Sequence, residues 1–411
     1  MIPVAEASAR ILARIEPLAG EAVATGKAAG RILSETVVAP LTSPPWDNSS
    51  MDGYAVRSSD LVSGARLRVV ETVAAGSFPS REIREGESVR VMTGAPVPRG
   101  ADSVIRHEDT DDGREHVTIK DLRDARRNIR KAGEDFRAGD VLFSPGAKLG
   151  IPHLGVLASA GIKSVKVHRR PRVAVISSGD ELVELDAFDE SLAGSKIVSA
   201  NSVTLTAAIH EGGGEAIDLG IASDNIESMR EKLVAAHDAD LVVTTAGISV
   251  GDHDHVRSAF DSLEGKLDFW KVRMRPGAPL AFGYLSDTPW IGLSGNPVSA
   301  IVTFELFVLP VIRRMLGLTD VFPETVSARV SQPVMLAAPL MHFLRAVMTR
   351  DTDGSNTIAL AGSQSSAVLT ALARANALLI LPGDNLQVEA GEVHRAIPLG
   401  TGRASATLRL T

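Results

Sequence analysis

The stretch RVAVISSGDE, Arg172–Glu181, decides the fold that the sequence predicts. Residues 172–177 form a nearly continuous apolar run, which is typical of a strand buried on both faces of a parallel sheet. Small and acidic side chains follow at once in Ser178-Gly179-Asp180-Glu181, and this change indicates a loop. The stretch therefore predicts a buried strand that ends in a polar, glycine-containing loop.

Two more runs of this kind follow along the chain, and predicted helices separate them. Asp240–Thr245 and Thr288–Leu293 have the same apolar character, while helices are expected at Ala200–His210 and Pro297–Leu316. Alternation of strand and helix at this spacing predicts a doubly wound parallel sheet, and so an α/β domain in the middle of the chain.

The flanking segments follow other patterns. Apolar residues at steps of three and four predict a helix over Val4–Glu16, and a second helix is expected at Glu21–Leu33. Short alternating strands between polar turns over residues 44–131 predict a small β-rich domain. After Val321 the chain returns to strands, the last at Ala406–Leu410, which predicts a second β domain, a small barrel or sandwich.

Composition excludes several classes of protein. The 411 residues include no cysteine, so disulfide scaffolds, thiolate zinc sites, iron–sulfur clusters and cysteine nucleophiles are excluded. The net charge of −7 argues against a nucleic-acid partner. No secretory signal is recognisable, and no stretch approaches the ~18 apolar residues of a membrane span. We therefore expect a soluble, multidomain cytoplasmic protein that binds neither nucleic acid nor membrane.

The loops after the three buried strands point to an anionic ligand. In an open α/β sheet, ligands bind beyond the carboxyl ends of the strands. Those ends carry SSGDE at 177–181, TAGISVGD at 245–252 and LSGNPVSA at 293–300. Glycine lets backbone N–H groups approach a ligand, and Pro297 suits the first turn of a helix whose N-terminus favours anions. We expect a ligand that carries phosphate or another oxyanion.

Charged side chains accumulate in the same regions. Acids occur at Asp180, Glu181, Asp252, Asp254, Asp52 and Asp135, which fits a Mg²⁺ site, proton transfer or a solvated surface. Lys271, Arg273 and Arg275 fall on one side of an extended segment, as a phosphate contact or a solvated strand face would. His253 and His255 give only a weak zinc signal.

Taken together, these motifs resemble the molybdopterin molybdenumtransferase family of MoeA type, to which the C-terminal part of gephyrin also belongs. The resemblance covers essentially the whole chain. Besides the three sheet loops it rests on PPWDNSSMDGYA at 44–55, MTGAPVPRGAD at 92–102, NIRKAGED at 128–135, QSS at 364–366 and ANA at 375–377.

The resemblance implies a multidomain fold of α/β and β parts. An elongated first domain, with an N-terminal helical segment, would comprise residues 1–43 and 138–170, and an inserted β-rich domain residues 44–137. A central doubly wound α/β domain of molybdopterin-binding type would span 171–320, and a C-terminal β barrel 321–411. It further implies a homodimer whose active cleft lies between the α/β domain of one subunit and the inserted domain of the other.

The family reaction joins molybdate to adenylylated molybdopterin with Mg²⁺, releasing AMP and molybdenum cofactor. Matching positions make Asp52, Asp135, Glu181 and Asp254 the catalytic acids, and Asp180, Glu181 and Asp224 the Mg²⁺ ligands. Substrate-binding residues are expected at Thr93, Gly94, Ser178, Gly179, Asp180, Gly247, Ser249, Gly251, Lys271, Arg275, Gly295, Asn296, Pro297, Ser299, Arg345 and Ser366. Molybdopterin adenylyltransferase and apo-molybdoenzymes are the protein partners that the resemblance implies.

The chain departs from the family pattern at four positions, and at one of them Arg275 replaces the usual first lysine, which keeps the charge but changes its geometry. Ala278 stands in Arg275-Pro276-Gly277-Ala278-Pro279 where the family usually has a second lysine, and Ser294 and Ala246 replace a usual Pro and Gly. Losing one charge-assisted contact costs ~1.5–3 kcal/mol, about tenfold to a hundredfold in affinity. Weak molybdate binding, a preference for tungstate, a carrier or scaffold without turnover, and molybdopterin adenylylation therefore stay open as alternatives.

Overall fold

The computed structural model describes residues 1–246, 255–384 and 386–400. The chain divides into two compact units, and we call Met1–Glu21 with His168–Thr411 unit one and Ala22–Val167 unit two. No helix within the described ranges is long and apolar enough to cross a membrane. The division into four domains stays a prediction.

Unit one contains a six-stranded sheet, the central sheet. Its strands lie in the order Glu215–Ala222, Arg172–Ser178, Leu241–Thr245, Thr288–Leu293, Pro279–Leu285 and Lys266–Lys271. The first four run parallel, which confirms the predicted doubly wound domain. Pro279–Leu285 pairs antiparallel with both of its neighbours, Thr288–Leu293 and Lys266–Lys271. The sheet therefore has a mixed edge, which the sequence did not predict.

Helices cover this sheet because its inner strands are apolar on both faces. Val173 to Ile176 are fully buried, as the uninterrupted apolar run predicts. One face packs against Ile226–Ala235 and His255–Ser262 through a cluster that includes Ile176, Met229, Phe260 and Trp290. The helix Ala200–Glu211 contacts the first two strands and the helix that begins at Pro297.

The predicted helix at Pro297–Leu316 is confirmed, with one irregularity. Pro297–Thr303 and Leu309–Met315 are α-helical, and the five residues Phe304–Val308 between them form a wider π-helical turn. Pro310 lies two residues after this turn. A proline inside a helix removes a backbone donor and displaces the preceding turn, which accounts for the irregularity.

Five strands close the C-terminal barrel, which confirms the barrel alternative. Around it they run Met341–Arg350, Asn356–Leu360, Val326–Val330, Val393–Pro398 and Ala377–Leu381, and the last pairs with the first. A short strand from the preceding domain, Met274–Arg275, extends this barrel and sets Arg275 beside His342. The strand expected at Ala406–Leu410 lies outside the described residues.

Unit two contains the predicted β-rich domain. Its five-stranded sheet, the inserted sheet, has the order Ser103–Arg106, Gly53–Val56, Glu87–Val91, Arg66–Val73 and His116–Thr118. Further elements of the unit are the strand pairs Val37–Val38 with Val141–Phe143 and Asn48–Ser49 with Ile129–Arg130, and the helix Ile151–Ser159.

Short elements complete the description. The paired strands are Leu182–Val183 with Ile197–Val198 and Val334–Met335 with Gln387–Val388, and the short helices are Phe188–Leu192 and Leu369–Arg374. Single 3₁₀ turns occur at Ser58–Asp60, His107–Asp109 and Leu185–Ala187.

The N-terminal helical segment is shorter than predicted. The first helix is confirmed but spans only Val4–Leu12. The second, expected at Glu21–Leu33, is wrong: Gly20–Ala24 is a strand that pairs with Ser164–His168, and a single 3₁₀ turn, Thr25–Lys27, follows it. Glycines lower helix propensity here, and Gly30 has a φ of +76° that no right-handed helix contains.

Gly53 supplies a test of the packing in the inserted sheet. A Cβ at Gly53 would lie 2.0 Å from the carbonyl oxygen of Ile105 on the neighbouring strand. We expect Gly53→Ala to lower the free energy of unfolding by ~1–3 kcal/mol, measured by urea denaturation.

The matched control is Gly155→Ala, in the helix Ile151–Ser159, where a Cβ meets no atom within 4 Å. That variant should be neutral or more stable by up to ~1 kcal/mol, because alanine has the higher helix propensity. Equal destabilisation by both substitutions would contradict the close approach at Gly53.

Candidate functional site

The carboxyl ends of the parallel strands line a cavity of about 660 Å³, the sheet-edge cavity. Its wall includes Ser178 and Glu181 at the end of the strand Arg172–Ser178, Thr245 and Ala246 at the end of Leu241–Thr245, and Ser294–Pro297 after Thr288–Leu293. Three strand ends far apart in sequence therefore meet at one place, as the shared direction of the strands requires.

Two predicted acids, Asp180 and Asp224, adjoin the wall residue Ser178, and we call this the rim of the cavity; each accepts a hydrogen bond from the other's backbone amide. The Asp224 amide donates to an Asp180 carboxylate oxygen at 3.0 Å, and the Asp180 amide donates to Asp224 at 3.2 Å. The hydroxyl of Ser178 donates to the other Asp224 oxygen at 3.2 Å. Two of the three predicted Mg²⁺ ligands are thus in hydrogen-bond contact, and their role as ligands stays a prediction.

The third predicted ligand, Glu181, lines the cavity itself. Its carboxylate lies over the backbone of Gly179, where a Cβ would come within 2.7 Å of both oxygens. Gly179 therefore lets the carboxylate fold back into the loop. Within the described ranges, no three carboxylate or imidazole groups are placed to hold one metal ion, so the full Asp180, Glu181 and Asp224 set stays a prediction.

One polar residue of the cavity wall, Asn201, was not predicted from the sequence. Asn201 is 7% exposed, and its side-chain amide donates to the Gly295 carbonyl at 2.8 Å. Its Oδ1 is buried and has no partner among the described residues. The only sequence signal was an asparagine in the first turn of a helix that follows a strand.

Ala246 shows the physical meaning of one departure from the family pattern. Its φ is +71°, in the left-handed region that favours glycine. Gly295 lies next to it, since a Cβ there would be 3.1 Å from the Ala246 Cβ. The cavity wall at this point is therefore held in a backbone conformation for which glycine is the unstrained residue.

A second cavity of about 460 Å³, the arginine cavity, lies where the barrel meets the strand Met274–Arg275. Among the residues that line it are Arg275, Arg345, Ser365 and Ser366. This cavity brings together three predicted substrate-binding residues, Arg275, Arg345 and Ser366. They lie up to 91 positions apart in sequence, from 275 to 366.

Arg345 is fully buried and has no acidic partner among the described residues. One guanidinium nitrogen donates to the carbonyls of Ser363 at 2.8 Å and Ser365 at 3.1 Å, and the Nε finds no acceptor. Burial alone lowers the pKa of Arg345 from its ordinary value, but a guanidinium remains charged in proteins. A buried cation without a counter-ion costs several kcal/mol, so the arrangement favours an anion.

Gln364, absent from the predicted site, fixes the backbone around this arginine. Its amide donates to the Arg345 carbonyl at 3.0 Å and its Oε1 accepts from the Arg345 amide at 3.0 Å. The reciprocal pair joins the strand to the loop that carries Ser365 and Ser366. The sequence showed a motif at 364–366, but it did not indicate which of these residues would hydrogen-bond to the backbone of Arg345.

Other predicted residues take separate positions. Gly295, Asn296 and Pro297 line the sheet-edge cavity, and Ser299 is buried in the following helix. Lys271 ends the antiparallel edge strand and is not among the residues that line either cavity. Gly247, Ser249, Gly251 and Asp254, together with Asp252 and His253, lie outside the described residues.

Unit two holds the remaining predicted residues. Asp52 accepts two hydrogen bonds from Thr93, from the backbone amide at 2.6 Å and from the hydroxyl at 2.7 Å. These two bonds lower the pKa of Asp52, although the side chain is exposed. Gly94 follows in the same turn with φ of +82°, whereas Asp135 is exposed and bonded to neither Asp52 nor Thr93.

Comparisons with known proteins cover nearly the whole chain. The family model for the MoeA N-terminal region (domain I and II) matches residues 2–161, that for a probable molybdopterin binding domain matches 174–314, and that for the MoeA C-terminal region (domain IV) matches 327–399. A molybdopterin molybdenumtransferase of Haemophilus influenzae is 36% identical over 398 residues, 95% of this chain and 97% of that protein.

Other relatives agree with these. A molybdopterin molybdenumtransferase of Staphylococcus aureus is 33% identical over 396 residues, 95% of this chain and 94% of that protein. The crystal structure of a molybdopterin biosynthesis MoeA protein from Pyrococcus horikoshii superposes with a TM-score of 0.82 at 28% identity, covering 97% of this chain and 100% of that one.

The hydrogen bonds to Asp52 can be tested by titration. Thr93→Val removes the hydroxyl donor and keeps the backbone donor, so the pKa of Asp52 should rise toward its ordinary value, as measured by NMR of the carboxyl carbon. Because the folded-state pKa is lowered, the stabilisation from these bonds is present above the unfolded pKa and is lost as the pH falls.

The control is Thr72→Val, which changes an exposed threonine of the same sheet that the structure shows without a hydrogen bond to Asp52. Its Asp52 titration should match that of the wild type. An unchanged Asp52 pKa in the Thr93 variant would contradict the geometry of this contact.

Proposed function

Because the chain belongs to the MoeA family of molybdopterin molybdenumtransferases, we propose that it inserts molybdenum from molybdate into adenylylated molybdopterin. The product would be molybdenum cofactor, with release of AMP. The family relationship supports the molybdopterin substrate and the transfer of molybdenum, and the charge distribution of unit one supports the form in which these substrates bind.

Arg345 is the observation that carries the proposal. Its guanidinium is buried, charged and without an acidic partner among the described residues. A tetrahedral oxyanion such as molybdate would supply the missing negative charge and accept the free Nε–H. Arg275, exposed at the same cavity, and the hydroxyl of Ser366 would contribute further donors.

The sheet-edge cavity suits the phosphate-bearing part of the substrate. Glycine and serine residues of the first and third loops give it close backbone approach and hydroxyl donors. The helix that starts at Pro297 directs its N-terminus to the same cavity, and this end attracts anions. We assign the adenylyl pyrophosphate to this cavity and the oxyanion to the arginine cavity.

Mg²⁺ fits the acids at the rim of the sheet-edge cavity. Mg²⁺ typically takes one or two carboxylates and completes its octahedron with substrate phosphates and water, so a third protein ligand is not required. Asp180 and Asp224, side by side, with Glu181 in the wall, would hold the ion. When bound, it would neutralise charge that develops on the pyrophosphate.

The remaining assignments rest on the family resemblance. Asp52, Asp135 and Asp254 would act as catalytic acids beside Glu181, with Asp52 and Asp135 contributed by the second subunit of a homodimer. The homodimer with a shared cleft, the cytoplasmic location and the contacts with molybdopterin adenylyltransferase and apo-molybdoenzymes are part of this proposal.

The arginine cavity offers the sharpest test of the proposal. Arg345→Gln removes the charge, so the molybdate concentration that half-saturates AMP release from adenylylated molybdopterin with Mg²⁺ should rise about tenfold to a hundredfold. Arg345→Lys, which keeps the charge without the planar fork, should fall between this variant and wild type.

Arg329→Gln is the matched control, since Arg329 is exposed on the same barrel, its guanidinium donates to the Gly391 carbonyl, and it does not line the arginine cavity. Its half-saturating molybdate concentration should equal that of the wild type. Tight substrate binding without AMP release would identify a carrier instead of an enzyme, and ATP consumption would identify an adenylyltransferase. Either result would overturn the proposed reaction.

A further inference from the structure

Unit two contains a cleft of about 710 Å³ that no part of the proposed function uses. Its wall includes Trp46, Phe78, Glu82, Pro98 and Arg99, and we call it the Trp46 cleft. Three stretches of chain build it: the segment before the strand Asn48–Ser49, the turn that follows the strand Arg66–Val73, and the loop after Glu87–Val91.

Two aromatic rings form one side of the cleft. Trp46 and Phe78 pack edge to face with centroids 4.7 Å apart, yet 38% of Trp46 and 61% of Phe78 remain exposed. Rings of this size are usually buried, and an exposed pair held at a cleft is typical of a binding surface. The two ring planes meet at 69°, so a heterocyclic ring can stack on the exposed face of Trp46 while Phe78 contacts the edge of that heterocycle.

The charged groups of the cleft fall into two classes. Arg81 is paired with Glu87, and Asp47 is paired with Lys131, so these charges are compensated within the protein. Arg99 and Glu82 have no ion-pair partner among the described residues. A ligand for this cleft therefore carries both an anionic group and an edge rich in N–H donors.

A hydrogen-bonded backbone ribbon connects the cleft to the predicted catalytic region of the same unit. Residues 46–52 and 93–98 run side by side, joined by bonds from the Gly94 amide to the Ser49 carbonyl at 2.8 Å and from the Val97 amide to the Asp47 carbonyl at 2.9 Å. Asp52 and Thr93 lie at one end of this ribbon and Trp46 at the other. At ~3.3 Å per extended residue, the six steps span no more than ~20 Å.

We propose that the Trp46 cleft binds the pterin ring of the substrate, an inference that rests on the proposed function. The pterin would stack on Trp46 with Phe78 against its edge, and its 2-amino and ring N–H groups would donate to Glu82. The anionic dithiolene of its side arm, and not the phosphate, would contact Arg99. Adenine, the other flat ring of the substrate, presents a ring-nitrogen acceptor beside its amino group and does not match a carboxylate in the same way.

Direct titration of the full-length protein tests this assignment, with 6-carboxypterin and AMP as the two probes. Trp46→Ala should raise the Kd for 6-carboxypterin about tenfold, as loss of one stacking platform does, whereas Trp46→Phe should stay within about threefold. Glu82→Gln should weaken 6-carboxypterin and leave AMP unchanged. Phe322→Ala, which removes a 52% exposed ring in unit one, is the control and should change neither Kd.

Each outcome decides the matter. A Kd for 6-carboxypterin that is unchanged in Trp46→Ala, or a loss of AMP binding equal to that of 6-carboxypterin, would overturn the pterin assignment. The titration contains no molybdate and needs no turnover, so a failure of the transferase reaction in the wild type would leave its result intact. Conversely, normal AMP release with an unchanged substrate KM in Trp46→Ala would overturn the pterin assignment alone.

Discussion

The common direction of four parallel strands is the constraint on which unit one depends. Strands that run the same way end at the same edge, so the strand ends at Ser178, Thr245 and Ser294 meet although more than a hundred residues separate the first from the last, counted as 294 − 178. The loops need side chains small enough to let backbone N–H groups face a ligand, and the strands need apolar residues on both faces. The sequence meets both requirements with one pattern, an apolar run followed by a polar loop that contains glycine, and this pattern occurs three times.

The second cavity depends on a different interaction, an uncompensated charge. Folding buries the Arg345 guanidinium against the loop that carries Ser363 and Ser365. Its hydrogen-bond partners among the described residues are backbone carbonyls, and none is acidic. Such a charge destabilises the protein until an anion binds. In the proposed function, the barrel would contribute binding free energy to the oxyanion, and the sheet edge would contribute backbone donors and an anion-attracting helix N-terminus. A substrate with a pyrophosphate and a tetrahedral oxyanion would use both cavities together.

The sequence predicted features that depend on short-range pattern and did not predict those that depend on pairing between distant segments. The buried strand at 172–178 and the helix at 200–211 follow from apolar periodicity, and so did their loops. The antiparallel edge at 266–271 did not, because its alternation resembles a solvated segment until a neighbouring strand is known. Arg345 was identified through the family resemblance, but its burial without a counter-ion, and the way Gln364 and Asn201 hold the two cavities, require the three-dimensional structure. The helix predicted at 21–33 was wrong because apolar periodicity does not register the positive φ of Gly30.

The central claim, that the buried arginine holds the oxyanion, is tested most directly by crystals soaked in molybdate. Anomalous difference density collected at the molybdenum edge locates the metal without reference to activity. We predict a single strong peak within hydrogen-bonding reach of the Arg345 guanidinium, between Arg275 and Ser366. The peak should disappear in Arg345→Gln crystals. A peak elsewhere in unit one, or one that persists in the variant, would contradict it.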